Sequence, residues 1–394
     1  MIEFFFFIGT GLGLGILTGL IPGIHLNTIT TFILFFSFQG SLSIVLLIVA
    51  MNTMHSFIDF IPNILVGAPS EDNFLSILPG HRLFLQGKGL LGIQLTILGN
   101  LGGILISLGV LPIYWLFAQQ TKGFLVKTIP WALLTMTVLL VASERKNQKK
   151  LVALGVAGLA GALGVIALRL ASNQLFALVT GFFGMSTLLF SLYQSKPKIV
   201  QQTKIFKLKT RKAWKAIGIG GICGSLVSLF PAISSAHAAF VAQSIHQKFG
   251  TKQFLVLLGA INASSMVFSF VALQVLGKAR TGSAVAIQFL YELSMPDFLV
   301  VLATILLSAG IAALTTILIA KKVLTVLQKI SYPTLSKSIM VLLAGLTIWL
   351  SGFLGLLVLL VATSIGLISH LQGIKKSHCM AFLVVPTILF YWGF

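Results

Sequence analysis

The sequence predicts an all-α polytopic membrane protein made of two inverted repeats, with about ten transmembrane helices and two broken re-entrant helical hairpins. Three observations carry that expectation. The chain of 394 residues is 57% hydrophobic and only 9% charged, more apolar surface than a soluble fold of this length can hide. An apolar stretch interrupted by glycine and proline occurs twice, as GLGLGILTGLIPGI over residues 11–24 and GGICGSLVSLFPAI over residues 220–233. The basic residues cluster in short loops between apolar segments.

The repeat has a register. A shift of 209 pairs Gly11 with Gly220, Gly15 with Gly224, Leu20 with Leu229, Pro22 with Pro231 and Ile24 with Ile233. With one residue added, a shift of 210 pairs Asn52 with Asn262, Phe60 with Phe270 and Gly67 with Gly277. The chain therefore divides into a first repeat over 1–194, a basic linker over 195–213 and a second repeat over 214–394.

Apolar segments fall near 4–21, 23–38, 41–66, 90–118, 124–143, 151–170 and 174–194 in the first repeat. In the second they fall near 214–230, 232–247, 252–276, 297–320, 338–352, 353–369 and 379–394. A helix crossing about 30 Å of hydrocarbon needs about 20 residues. The pairs flanking Pro22 and Pro231 are shorter and read as half-helices that enter the membrane and return. Such backbone is tolerated only against protein or a water-filled cavity. A plain count of fourteen helices is the alternative, and it has the same crossing parity.

Seven passages per half is odd, so the second half is inverted relative to the first. With the N-terminus outside, the inner loops are 67–89, 144–150, 195–213, 248–251, 321–337 and 370–378. Together with Lys215 and Lys252 they hold 22 of the 27 Lys and Arg residues, leaving Lys122, Lys127, Arg169, Lys278 and Arg280 outside. That bias follows the positive-inside rule in a cell membrane. The basic 195–213 stretch is then a cytoplasmic linker, either simply solvated or resting on anionic headgroups. The net charge of +20 does not signal nucleic-acid binding, which needs a basic face on a folded soluble domain. Cys223 and Cys379 lie in apolar segments and form no metal or disulfide framework.

The first break, Ile21 to Thr28, carries Pro22 and Gly23. Proline removes a donor and glycine relaxes the backbone, so one helix can stop and another start. A half-helix beginning there offers unpaired N–H groups and a positive dipole end to an anion. His25, Asn27 and Thr28 add donors. The second break offers Pro231, Ser234, Ser235 and His237 in the same role. A kinked helix whose polar groups bond neighbouring backbone is the competing reading of both.

Asn52, His55 and Asp59 recur at spacings of three and four and share one helix face. Ionisable groups inside an apolar segment are expensive and face a cavity or a partner. His55 and Asp59, one turn apart, can pair or relay a proton, or belong to an internal helix–helix bond. Ser70, Glu71, Asp72 and Asn73 supply hard oxygen ligands suited to Na⁺, and equally a helix N-cap. The matching stretch of the second repeat holds Lys278, Arg280, Thr281 and Ser283. A cation site in one half and an anion site in the other would suit a cation-coupled anion carrier; two ordinary surface loops are the alternative. His25, His55, Asp59 and His81 are spread over separate predicted elements, which disfavours a metal centre, and no Walker loop, HExxH or nucleophile motif is present. No cofactor is expected beyond a coupling Na⁺ or H⁺.

At these residues a family resemblance emerges. GLIPGIHLNT (Gly19–Thr28) and HSFIDFIPNILVGAPSEDNFLSILPGHRLFLQGKG (His55–Gly89) resemble the large membrane subunit of tripartite tricarboxylate transporters, in its compact archaeal branch. The likeness is most specific over 9–92, looser over 214–290 and elsewhere one of hydropathy. It implies a permease, not an enzyme, that carries di- or tricarboxylates by cation-driven symport. Substrate would be held between two inverted repeats, and the permease would work with a small membrane subunit and an extracytoplasmic binding protein. By motif it implies site regions at Pro22–Thr28, Pro69–Asn73 and Pro231. The chain departs from the bacterial pattern in its length, in FPA at the second break and in a second-half signature reduced to GKARTG. Its Pro-Gly break is also similar to that of polyprenyl-phosphate carriers, which makes a lipid-phosphate carrier the alternative. A non-transporting scaffold or an intramembrane enzyme is the reading from other classes.

Overall fold

The computed structural model describes residues 2–21, 30, 33, 40–68, 74–170, 174–193, 200–206, 213–228, 235, 238–239, 242, 249–277 and 281–393. Among them the chain is helical, without strands. In the first half, α1 (Ile2–Leu20) and α2 (Leu42–Ile58) are followed by a π-helical turn (Pro62–Val66), the short α3 (Ile77–Leu85), and the long α4 (Gly89–Ala142) and α5 (Asn147–Leu170). Then α6 (Leu175–Val179) and α7 (Ser186–Tyr193) flank a π-helical segment, Thr180–Met185. In the second half come α8 (Ala213–Ser228), α9 (Thr251–Leu276), α10 (Gly282–Leu290), α11 (Met295–Leu327), α12 (Tyr332–Leu371), a 3₁₀ turn (Lys376–Met380) and α13 (Ala381–Trp392).

Among the described residues, seven helical stretches are long and apolar enough to cross a membrane: Ile2–Leu20, Leu42–Val66, Gly89–Leu116, Asn147–Leu170, Thr251–Val275, Met295–Leu327 and Pro333–Leu371. Leu133–Ala142, Leu175–Phe190 and Ala213–Ser228 are shorter apolar helices. Leu299, Leu314, Leu318, Trp349, Phe353 and Leu357 are exposed on α11 and α12. Apolar surface of this extent needs lipid around it. This is an all-α polytopic membrane protein.

Two sequence boundaries change, and one helix is longer than a half-helix. The first segment reads as a half-helix, yet α1 has 19 residues. At 1.5 Å per residue that is about 28 Å, enough to cross. The segments 90–118 and 124–143 read as separate helices but form one run, because Pro112 and Pro130 are accommodated within α4. The intervening Gln119, Gln120 and Lys122 are good helix formers. The segments 338–352 and 353–369 also join as α12, with the predicted boundary surviving as a kink at Gly352 (φ 67°, ψ −170°), a backbone conformation glycine adopts without a Cβ penalty.

Packing is reciprocal between the halves. Within them, α1 packs on α2 and α8 on α9. Between them, α4 packs on α9 while α11 packs on α2, and α5 packs on α13 while α12 packs on Thr180–Met185. Glycines bring the backbones together. A Cβ on Gly15 would lie 2.6 Å from the Met51 carbonyl oxygen and 2.7 Å from Met54 Cβ; one on Gly224 would lie 2.7 Å from the Ile261 oxygen and 2.8 Å from Ser264 Cβ. Met51 and Ile261, like Met54 and Ser264, are 210 apart, the shift read from the sequence. Gly164 approaches the Phe382 carbonyl and Gly366 the Phe182 carbonyl, with the Phe182 and Phe382 rings stacked at 5.3 Å. Protein encloses α2 and α9 almost wholly, as expected of helices apolar all round at the centre of a bundle.

Candidate functional site

Where α2, α4 and α9 meet, the apolar interior is interrupted by a polar seam. The Ser56 carbonyl accepts hydrogen bonds from Asn100 Nδ2 and Asn262 Nδ2, each at 3.1 Å. Ser56 Oγ donates to the Asn52 carbonyl at 2.9 Å and lies 3.5 Å from Met266 Sδ. Further along α4 and α9, the hydroxyls of Ser107 and Ser264 are 2.8 Å apart, with the carbonyls of Gly103 and Gly221 also in reach. Tyr114 Oη donates to Ser228 Oγ at 2.7 Å, since the Ser228 hydroxyl proton goes to the Ser225 carbonyl. Buried hydrogen-bonding groups of this kind join helices in hydrocarbon.

The sequence-predicted residues divide into those this seam gathers and those it does not. Asn52 and Asn262 are both buried in it. His55 sits on the α1 side of α2, with Nδ1 3.0 Å from Thr18 Oγ1. Asp59 is buried where α2 ends, and its carbonyl accepts from Asn63 Nδ2 at 2.8 Å. The π-helical turn that follows closes at Gly67 (φ 76°), and α9 closes at Gly277 (φ 60°), the paired residue. Thr281 caps α10 by accepting from the Ala284 N–H at 3.3 Å, and its hydroxyl lies 2.8 Å from that of Ser269. Ser283 is buried in the first turn of α10. Ser235 is buried. Pro22, Gly23, His25, Asn27, Thr28, Ser70, Glu71, Asp72, Asn73, Pro231, Ser234, His237, Lys278 and Arg280 lie outside the described residues.

A second polar cluster, at the face carrying the basic loops, was not anticipated from the sequence. Glu144 Oε1 accepts from the Lys375 N–H at 2.9 Å and lies 3.0 Å from His378 Nε2. Burial pulls the Glu144 carboxyl up, but the Lys375 N–H and His378 outweigh it and the net shift is down. Burial also lowers His378, against the pull of Glu144. The neutral ring then donates to the carboxylate. Beside them the buried Lys376 Nζ donates to the Phe183 carbonyl at 3.3 Å, to Thr187 Oγ1 and to His370 Nε2 at 2.9 Å.

Asn100 is legible as an amide in an apolar run, and Glu144 as one of only seven acids; their partners are not. Among the described residues no three His, Cys, Asp or Glu side chains gather as metal ligands.

No solved structure matches the chain. A protein of Methanocaldococcus jannaschii, described as uncharacterized, is 28% identical over 392 residues, covering 97% of each chain. The family model of the tripartite tricarboxylate transporter TctA family matches residues 5–381. With these motifs on an all-α membrane scaffold, the chain belongs to the TctA family and is a transporter component of the tripartite tricarboxylate system.

Proposed function

We propose that this chain is a secondary active permease for an organic anion, a di- or tricarboxylate, driven by Na⁺ or H⁺ through alternating access between two inverted repeats. The observation that carries this reading is the reciprocal packing. Each half lends helices to the other in the same pattern, α4 on α9 and α11 on α2, and the close approach of Gly15 to Met51 recurs as that of Gly224 to Ile261, at shifts of 209 and 210. Two like units sharing one interface can rock about it, which is the geometry alternating access uses. The seam around Ser56 lies on that interface and supplies polar groups at its centre. The breaks near Pro22 and Pro231 supply the anion's N–H donors, with Lys278 and Arg280 assisting, while Asp59 and Ser70–Asn73 serve the coupling ion. The N-terminus faces outside, the basic loops face the cytoplasm, and the permease works with a small membrane subunit and an extracytoplasmic binding protein.

Proteoliposome uptake of citrate and succinate tests this, with Na⁺ and H⁺ gradients imposed separately and with the partner subunits present or omitted. Gradient-dependent carboxylate uptake supports it. Uptake of a polyprenyl phosphate in its place would make the protein a lipid-phosphate carrier. Failure of both with all partners present overturns the transport reading.

A further inference from the structure

At the basic-loop face a cavity of about 220 Å³ opens between the two halves. Its lining includes Arg82 from α3, Thr251 at the first turn of α9, Lys375 just before the 3₁₀ turn, and Lys376 and Ser377 within it. Three cations line it, and no acid among the described residues does. Glu144, which touches the lining at Lys375, is engaged by His378 and the Lys375 N–H. Lys376 is buried, and among the described residues its hydrogen bonds go to neutral acceptors: a carbonyl, a hydroxyl and an imidazole nitrogen. A buried ammonium with neutral partners is a charge awaiting compensation. Its three protons point at protein atoms, so it offers the cavity charge, while Arg82, Lys375, Thr251 and Ser377 offer donors. The first turn of the 26-residue α9 adds a positive dipole end.

We propose that this cavity binds a small oxyanion of the carboxylate or phosphate class at the basic-loop face, bridging the two halves. The site is separate from the breaks near Pro22 and Pro231. It goes beyond the transport reading, because binding here and uptake are scored independently. Binding carries a proton signature. Burial lowers Lys376 to about 7, so it is partly neutral at neutral pH, and a bound anion draws a proton onto it. The other groups facing it are His370 on α12, Arg82 on α3, and Lys375 and Cys379 on its own segment, with the Glu144–His378 pair adjacent. A ligand that binds only the protonated form loses about tenfold in affinity between about pH 6 and pH 8.

The test uses the full chain in nanodiscs of zwitterionic lipid, titrated calorimetrically with inorganic sulfate, whose charge is constant over that range, and with succinate. The expected result is saturable binding that weakens about tenfold in Arg82→Gln and in Lys375→Gln, each losing one charge-assisted contact. Lys321→Gln, on α11, is expected to leave it unchanged. The sulfate affinity falls as pH rises. A parallel series adds phosphatidylglycerol to the discs. Competition by that lipid, or saturable binding only in its presence, keeps the oxyanion site and assigns a headgroup as its occupant. No saturable binding of sulfate, succinate or anionic lipid overturns the proposal. So does binding that Arg82→Gln and Lys375→Gln both leave unaltered.

Discussion

Replacing Gly15 or Gly224 by alanine tests whether both halves depend on the same close helix approach. A Cβ at Gly15 would stand 2.6 Å from the Met51 oxygen, and one at Gly224 2.7 Å from the Ile261 oxygen. Relaxed contacts lie at roughly 3.5 Å, so each helix pair must part by about 0.8 Å. The obstacle is backbone, which cannot swing aside as a side-chain tip can. Overpacking of this kind costs about 1–3 kcal/mol. Alanine's better helix propensity returns about 1 kcal/mol, leaving a net loss of about 0–2 kcal/mol. Gly218→Ala is the control: on the same α8, it has no heavy atom within 4 Å of the added Cβ and should gain up to about 1 kcal/mol. The difference between Gly224→Ala and Gly218→Ala cancels propensity and isolates packing. Denaturant titration of the detergent-solubilised protein, followed by tryptophan fluorescence, reads it. If Gly15→Ala and Gly224→Ala are stabilised as much as Gly218→Ala, the close approach in both halves is wrong.

Three further outcomes are expected. Asn100→Ala and Asn262→Ala should each lower stability by about 0.6–1 kcal/mol, the worth of one interhelical hydrogen bond in a membrane; unchanged unfolding midpoints in both would remove the Ser56 carbonyl as a joint between α2, α4 and α9. The folded protein holds Glu144 and His378 below their ordinary values, so both contribute stability above those ranges. That stability is lost on acidification, as pH falls through the ordinary histidine range near 6.5 and then through the lowered Glu144 value. Glu144→Gln should flatten the lower part of the acid-unfolding curve, and an unaltered curve would count against the pairing. Asp59→Asn keeps shape and most hydrogen bonding while removing ionisation, so it should alter the ion dependence of uptake; normal rate and ion dependence would leave Asp59 a structural residue.

Composition alone determined the class. No arrangement of a chain this apolar hides its surface from water, and its sparse charges mark the loops. The register Gly11/Gly220, Gly15/Gly224 and Gly67/Gly277 also stands in the sequence, because a close helix approach and a left-handed turn admit almost no other residue. Asn52 and Asp59 announced themselves as polar groups that hydrocarbon will not accept for nothing. Their partners did not. Asn100 and Asn262 reach the Ser56 carbonyl from 44 and 206 residues away, and Glu144 meets His378 from 234 residues away. Helical periodicity tells which side of a helix is buried, never against what. Hydropathy likewise cannot distinguish two helices joined by a loop from one bent helix, so α4 and α12 became continuous only once each backbone could be followed. Which helices cross between halves, and the cavity that Arg82, Thr251 and Lys376 share, were decided by packing, because contact between distant segments is a property of the folded chain.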